Sequence, residues 1–285
     1  MRRLLQPGPV AAERVECVRG ELRAIGFTLQ PGLTLNEALT RPLIAAGMQS
    51  AALTFSGGAL SPFVYVMPAE APDDRHVAYF SAPRAPAGET RVDIANATFG
   101  WRDGAPFVHV HGAWIEPDGR RHGGHMMAHE TIVAAPIQAQ AWALADVRIE
   151  VAPDPETNFS LFHPVASAGA GNGRAIVARI RPNEDLCTAL EATCRRYGIA
   201  SAIVRGSLGS LVGARFEGGG VVEDHATEVL VRRGTVRRDA AGALRAELDM
   251  LVVDMNGTVH EGRLLRGENP VCICFELVLE TLESC

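Results

Sequence analysis

The sequence repeats itself, and this constrains the fold strongly because each copy must form the same set of elements. Identical residues share an offset of 151 between residues 35–60 and 186–211. Further on the offset is 138, where Gly119, His122 and Gly124 match Gly257, His260 and Gly262. The offset changes across a Pro- and Ala-rich insert at 67–89 of the first copy, which we expect to form a surface loop.

Each copy is predicted to contain one main helix followed by antiparallel strands. Thr34 and Glu37 have the spacing of a helix capping box. Later in each copy, the dipeptides Asp118-Gly119 and Asn256-Gly257 are strong signals for β-hairpins. The sequence therefore predicts an α+β fold made of two tandem copies of a mainly antiparallel β domain.

The segment between the copies is rich in small residues. Residues 163–173 read HPVASAGAGNG, a composition typical of a linker. We therefore expect a first domain at 1–162 and a second domain at 174–285.

Charge and cysteine content limit the classes of protein to consider. The chain has 27 Lys+Arg against 33 Asp+Glu, and its basic residues are arginines scattered in short doublets. This charge gives no support to a phosphate-binding stripe for nucleic acid. Six cysteines occur without a C-x-x-C pair, and no apolar signal or membrane segment is evident. We expect a protein of the reducing cytoplasm that does not bind membranes.

Histidines are concentrated in one segment of the first copy. Five of the nine lie within residues 107–130, namely His109, His111, His122, His125 and His129. Residues two apart in a strand share a face, so His109 and His111 should point together.

The position of His125 depends on the hairpin turn. A three-residue loop at 117–119 would put His111 directly opposite His125. A two-residue loop at Asp118-Gly119 would oppose His111 to Met126, and a bulge would then be needed to bring His125 back.

Three imidazoles on adjacent strands predict a metal site. Three neutral histidines are a standard ligand set for catalytic Zn²⁺, with a fourth position left for water or substrate. Imidazole also suits iron, nickel and copper, so another divalent transition metal fits this pattern too. We take His109, His111 and His125 as the metal ligands, and Glu116 and Glu130 as candidate catalytic or ligand-orienting carboxylates. His122 and His129 are weaker candidates for ligands.

The second copy lacks this triad. The offset of 138 maps the three histidines onto Glu247, Asp249 and Arg263. The charges of these residues predict a cluster of salt bridges that preserves the local structure without a metal, or alternatively a site for a charged ligand.

The hairpin segment resembles the signature of the plants-and-prokaryotes conserved (PPC) domain. That signature combines His-x-His, a short Asp-Gly hairpin and Gly-Gly-His, which correspond here to His109, His111, Gly123, Gly124 and His125. The preceding helix, strand and GGAL segment resemble the same domain. The first copy thus resembles a complete PPC domain, and the second copy a divergent one.

The resemblance implies a compact α+β domain, usually a homotrimer, in which the histidines hold a metal. Many PPC proteins are designated DNA-binding after plant relatives that add an AT-hook, and this sequence contains no AT-hook. The fold also resembles that of acetolactate decarboxylase, an enzyme with a tandem of such units and a three-histidine zinc site.

Two hypotheses about function follow. The chain is either a metal-binding, oligomeric PPC protein that binds DNA or a partner, or a zinc-dependent lyase or related metalloenzyme acting on a small keto or hydroxy acid. The second hypothesis implies a small carboxylate ligand, and it requires a pocket beside the metal.

Overall fold

The computed structural model describes residues 2–167 and 170–282. The two α-helices are α1 (Leu35–Ala45) and α2 (Leu186–Arg196). The strands are β1 (Val15–Gly20), β2 (Leu22–Leu29), β3 (Ser50–Leu60), β4 (Tyr65–Val66), β5 (Pro68–Ala69), β6 (Tyr79–Phe80), β7 (Thr90–Arg102), β8 (Ala105–Ile115), β9 (Arg121–Met126), β10 (Val133–Ala135), β11 (Ile137–Leu144), β12 (Val147–Pro153), β13 (Ser160–Ala166), β14 (Ala175–Ile180), β15 (Ala202–Leu211), β16 (Ala214–Arg215), β17 (Val221–Val222), β18 (Thr227–Arg238), β19 (Leu244–Val253), β20 (Val259–Arg263) and β21 (Val271–Thr281).

The two copies form two sheets with the same strand order. The main path of the first sheet runs β2-β11-β3-β7-β8-β9-β4, and that of the second runs β1-β14-β21-β15-β18-β19-β20. Six successive strands correspond, beginning at β2 in one sheet and at β14 in the other. In both copies the helix follows the first of these strands. The α+β class and the two mainly antiparallel copies with one main helix each are therefore confirmed.

Side chains at the helix starts explain where the helices begin. The Thr34 side chain accepts from the Glu37 amide, and Glu37 accepts from the Thr34 amide in return, so the predicted capping box is present. In the second copy, Asp185 caps α2 by accepting from the Thr188 amide. Each described α-helix has 11 residues, about half the length that a membrane span needs.

Buried apolar clusters give the order of the layers. One cluster joins α1 to the first sheet and includes Leu39, and another joins α2 to the second sheet and includes Leu190. Two smaller clusters mix residues of both sheets, for example Ala113 with Leu208. The sheets therefore pack face to face between the two helices.

A buried asparagine also connects the two sheets. Asn96 lies on β7 of the first sheet and is fully buried. Its Nδ2 donates to the carbonyl oxygens of Ser207, at 3.0 Å, and Val231, at 2.9 Å, both in the second sheet. Because a buried amide needs its partners, these hydrogen bonds help to fix how one sheet lies on the other.

Three segments differ from the sequence expectations. β1 pairs with β14, so the start of the chain joins the second sheet. Residues 163–166 of the expected linker lie in β13, where Pro164 is tolerated because β13 pairs only with β12 and is an edge strand. Residues 168–169 of that linker lie outside the described residues. The insert at 67–89 contains the paired strands β5 and β6 and lines a cavity, so it is more than a surface loop.

A buried network of charges joins β1, β14 and the turn between β12 and β13. Asp154 accepts from Arg179 at 2.5 Å and from Arg181 at 2.7 Å. Glu16 accepts from both of these arginines, and lies 2.9 Å from His163 Nδ1. Burial alone would raise the pKa of Asp154, but the Arg179 hydrogen bond and charge outweigh it and bring this pKa to about 2.

We expect Asp154 to contribute about 2 to 3 kcal/mol to the free energy of unfolding near neutral pH. Because its folded-state pKa lies below the unfolded value of about 3.9, this contribution is present above pH 4 and is lost as the pH falls towards 2. Urea unfolding of wild type and Asp154→Asn should therefore give a stability difference that shrinks from pH 5 to pH 2. Asp103→Asn, at an exposed position, is the control. A difference that stays constant over this range would contradict the assignment.

Candidate metal centre

The hairpin β8–β9 brings the three predicted ligands together. The Glu116 amide donates to the Arg120 carbonyl, and His111 lies directly opposite His125. The three-residue loop is therefore the correct alternative. The ring centroids of His109, His111 and His125 lie 4.5 to 5.4 Å apart, and one ligand nitrogen from each lies within 4.8 Å of the others.

The Gly-Gly pair before His125 allows the hairpin to pack closely on both sides. A Cβ at Gly123 would lie 2.5 Å from the Val253 side chain of the second copy. A Cβ at Gly124, whose φ is +155°, would lie 2.5 Å from the Val66 carbonyl oxygen in β4. Side chains at these positions would push the hairpin away from its neighbours, and His125 would move with it.

The second copy orients two of the imidazoles. His109 Nδ1 lies 2.8 Å from Glu276 Oε1, and His111 Nδ1 donates to the Val229 carbonyl oxygen at 3.1 Å. Since a carbonyl oxygen can only accept, His111 Nδ1 carries a proton, and Nε2 is the ring nitrogen that faces His109. The two Nε2 atoms point at each other, 2.9 Å apart.

Two buried carboxylates set the charge at the site. The charge and hydrogen bond of Glu276 outweigh burial and raise the pKa of His109. Glu228 Oε2 lies 2.8 Å from His111 Nε2, and this partner lowers the pKa of Glu228 although burial acts to raise it. Burial, reinforced by the neighbouring histidines, lowers the pKa of His125 well below its usual value, so His125 is neutral.

These groups fit a divalent metal ion. His125 Nδ1 and Glu276 Oε2 are buried atoms without a hydrogen-bond partner among the described residues, which is costly unless a ligand satisfies them. Three imidazoles with carboxylates beside them form a donor set that suits zinc and similar metals. The triad could therefore hold a metal ion.

The triad opens onto a cavity of about 590 Å³ that residues of both copies line. Glu130 and His129 are part of its wall. Glu116 does not line it, and its carboxylate accepts from the Tyr65 hydroxyl at 2.8 Å in the hairpin region. Among the described residues, the carboxylates that contact the imidazoles are Glu228 and Glu276.

Sequence reasoning did not identify these two carboxylates. Glu276 interrupts the apolar run VCICFELVL, and Glu228 precedes the apolar run VLV. An acidic residue at a buried strand position needs a partner, so this pattern was the available signal. The histidine that each carboxylate contacts could not be predicted, because it belongs to the other copy.

The positions equivalent to the triad form ion pairs in the second copy. Asp249 lies opposite Arg263 in β19–β20, as His111 lies opposite His125 in β8–β9. The Arg263 guanidinium contacts Asp249 at 3.0 Å and Glu247 at 3.3 Å. The predicted salt-bridged cluster is therefore confirmed.

Comparison with known families finds a match to the second copy. Residues 167–283 match the model of the Plants and Prokaryotes Conserved (PCC) domain, also abbreviated PPC. The second copy is a PPC domain. The match falls on the copy without the histidine triad, and the first copy shares the strand order of this PPC domain. No curated protein matches the chain.

Several solved structures are similar to about half of the chain. A PPC protein from Pyrococcus horikoshii is 18% identical, with 55% of this chain and 99% of that chain covered and a TM-score of 0.41. The metal-containing protein AF0104 from Archaeoglobus fulgidus is 17% identical, with 51% and 96% covered and a TM-score of 0.41. A candidate DNA-binding protein from Ralstonia eutropha is 16% identical, with 50% and 95% covered and a TM-score of 0.37.

We expect Glu276→Gln to weaken Zn²⁺ binding by roughly 10- to 100-fold, because the charged partner of His109 is lost. Competition with a chromophoric chelator measures this affinity. Glu280→Gln is the matched control, since Glu280 is on the same strand but pairs with Arg205. Equal affinities for the two variants would rule out a role of Glu276 in orienting a ligand.

Proposed function

We propose that this chain is a metal-dependent enzyme acting on a small keto or hydroxy acid, with His109, His111 and His125 as the ligands of Zn²⁺. The observation that carries the proposal is the meeting of three imidazoles and two buried carboxylates at a cavity of about 590 Å³. An interaction module needs no such cavity, whereas a catalyst does.

When bound, Zn²⁺ supplies a Lewis acid that polarises a carbonyl or carboxylate oxygen. The protein groups have separate tasks. Glu276 and the Val229 carbonyl hold the Nδ1 protons of His109 and His111, so that both Nε2 atoms face the centre. Glu228, whose Oε2 lies 2.8 Å from His111 Nε2, is a carboxylate that can accept a proton at the centre, and Glu130 in the cavity wall is a further candidate for proton transfer.

The arginine doublets favour this proposal over DNA binding. Six of their ten arginines form ion pairs with carboxylates of the same chain: Arg2, Arg120, Arg121, Arg196, Arg232 and Arg233. A guanidinium that is already paired contributes less to the neutralisation of phosphates.

The first test is metal content. Protein purified without a His tag should contain about one zinc per chain, and the variant His109→Ala with His125→Ala should contain almost none. His129→Ala is the control, because His129 lines the same cavity outside the triad. Elemental analysis gives the stoichiometry. Full metal content in the double variant would remove the site from the proposal.

The second test is ligand binding through the metal. A 2-keto or 2-hydroxy acid at about 100 times its Kd should stabilise the zinc protein by about 2.7 kcal/mol and raise its Tm by several degrees. This increment should disappear after chelation, with each sample referred to its own acid-free Tm. An increment that survives chelation, or no increment for any acid in the panel, would contradict the proposal.

A further inference from the structure

The insert at 67–89 places two exposed aromatic side chains at the cavity. Tyr79 and Phe80 are 40% and 41% exposed, and they are the only aromatic residues among the exposed large hydrophobic side chains of the described chain. The Phe80 ring lies 5.6 Å from His125 and 6.1 Å from Phe159, and Tyr79 stacks at 5.8 Å on Phe159. These rings form an open apolar wall beside the triad.

One arginine lies in the wall of the same cavity. Arg102, at the end of β7, is exposed, and its guanidinium lies 5.3 Å from the centre of the Phe107 ring. The structure gives it no ion pair with any carboxylate in residues 2–167 or 170–282. Arg102 is thus a cation facing the cavity with its hydrogen-bonding capacity open to a ligand.

The strand geometry sets the spacing between this cation and the triad. Phe107, His109 and His111 are alternate residues of β8 and share one face, with a step of about 6.6 Å between them. Arg102 lies over Phe107, one step before the first histidine. A ligand that reaches both Arg102 and the triad must therefore be elongated, and Phe80 lies beside its end at His125.

We propose that the cavity binds an aromatic carboxylic acid, with its carboxylate on Arg102 and an oxygen substituent at the opposite end of the ring directed at the triad. The proposal rests on the proposed function, because the second oxygen is the group that meets the metal centre. A guanidinium binds a carboxylate through two parallel hydrogen bonds, and aromatic rings pack on one another with a specific geometry. A short aliphatic acid would leave Tyr79 and Phe80 uncovered.

The test compares 4-hydroxybenzoate with its uncharged analogue 4-hydroxybenzamide by calorimetric titration of the full chain. We expect wild type to bind the acid at least about tenfold more tightly than the amide, a difference of about 1.4 kcal/mol. Arg102→Gln should abolish this preference. Arg237→Gln is the control, because Arg237 is an exposed arginine outside the cavity. Phe80→Ala should weaken both ligands to a similar degree, since both carry the ring.

The outcomes separate this proposal from the metal function, because zinc content is measured on the same samples. A preference for the acid that persists in Arg102→Gln, or no preference in wild type, would overturn the arginine subsite. Binding of 4-hydroxycyclohexanecarboxylate as tight as that of the aromatic acid would overturn the aromatic wall. Wild-type protein that contains no zinc as purified, but still prefers the acid through Arg102, would support the arginine subsite and contradict the metal function.

Discussion

The apposition of the two sheets is the contact on which the rest of the structure depends. Apolar residues of both sheets form shared clusters, and Asn96 donates across the interface to two backbone carbonyls. This packing brings the carboxylates of Glu228 and Glu276 against imidazoles that would otherwise be buried without partners. The site therefore exists only where the two copies meet, and neither copy contains it alone.

The two copies contribute different groups to the candidate site. The first copy carries the three imidazoles, whereas the equivalent positions of the second copy are Glu247, Asp249 and Arg263, which form ion pairs. The second copy contributes the Glu276 carboxylate and the Val229 carbonyl oxygen, which contact His109 and His111. The candidate ligands and the groups that contact them therefore lie on different sheets.

Local chemistry made much of this predictable from the sequence. The capping box at Thr34, the turn at Asp118-Gly119 and the alternation of His109 with His111 depend on neighbours in the chain, and all three are present. The roles of Glu228 and Glu276 could not be predicted in this way. They depend on how two sheets far apart in sequence pack together, and no periodicity within one strand carries that information.

β1 precedes the first copy in sequence but pairs with β14 of the second copy. The two copies are therefore connected by backbone hydrogen bonds as well as by the chain that joins them. The N-terminal strand crosses to the edge of the second sheet before the first sheet begins, and there it covers backbone amides and carbonyls that β14 would otherwise expose. The segment matched by the family model begins at residue 167 and so leaves this strand out. Cutting the chain between the copies would leave the second half with an open sheet edge, which invites pairing with other chains. The β1 strand thus completes the second sheet with a segment that precedes the first copy in the chain.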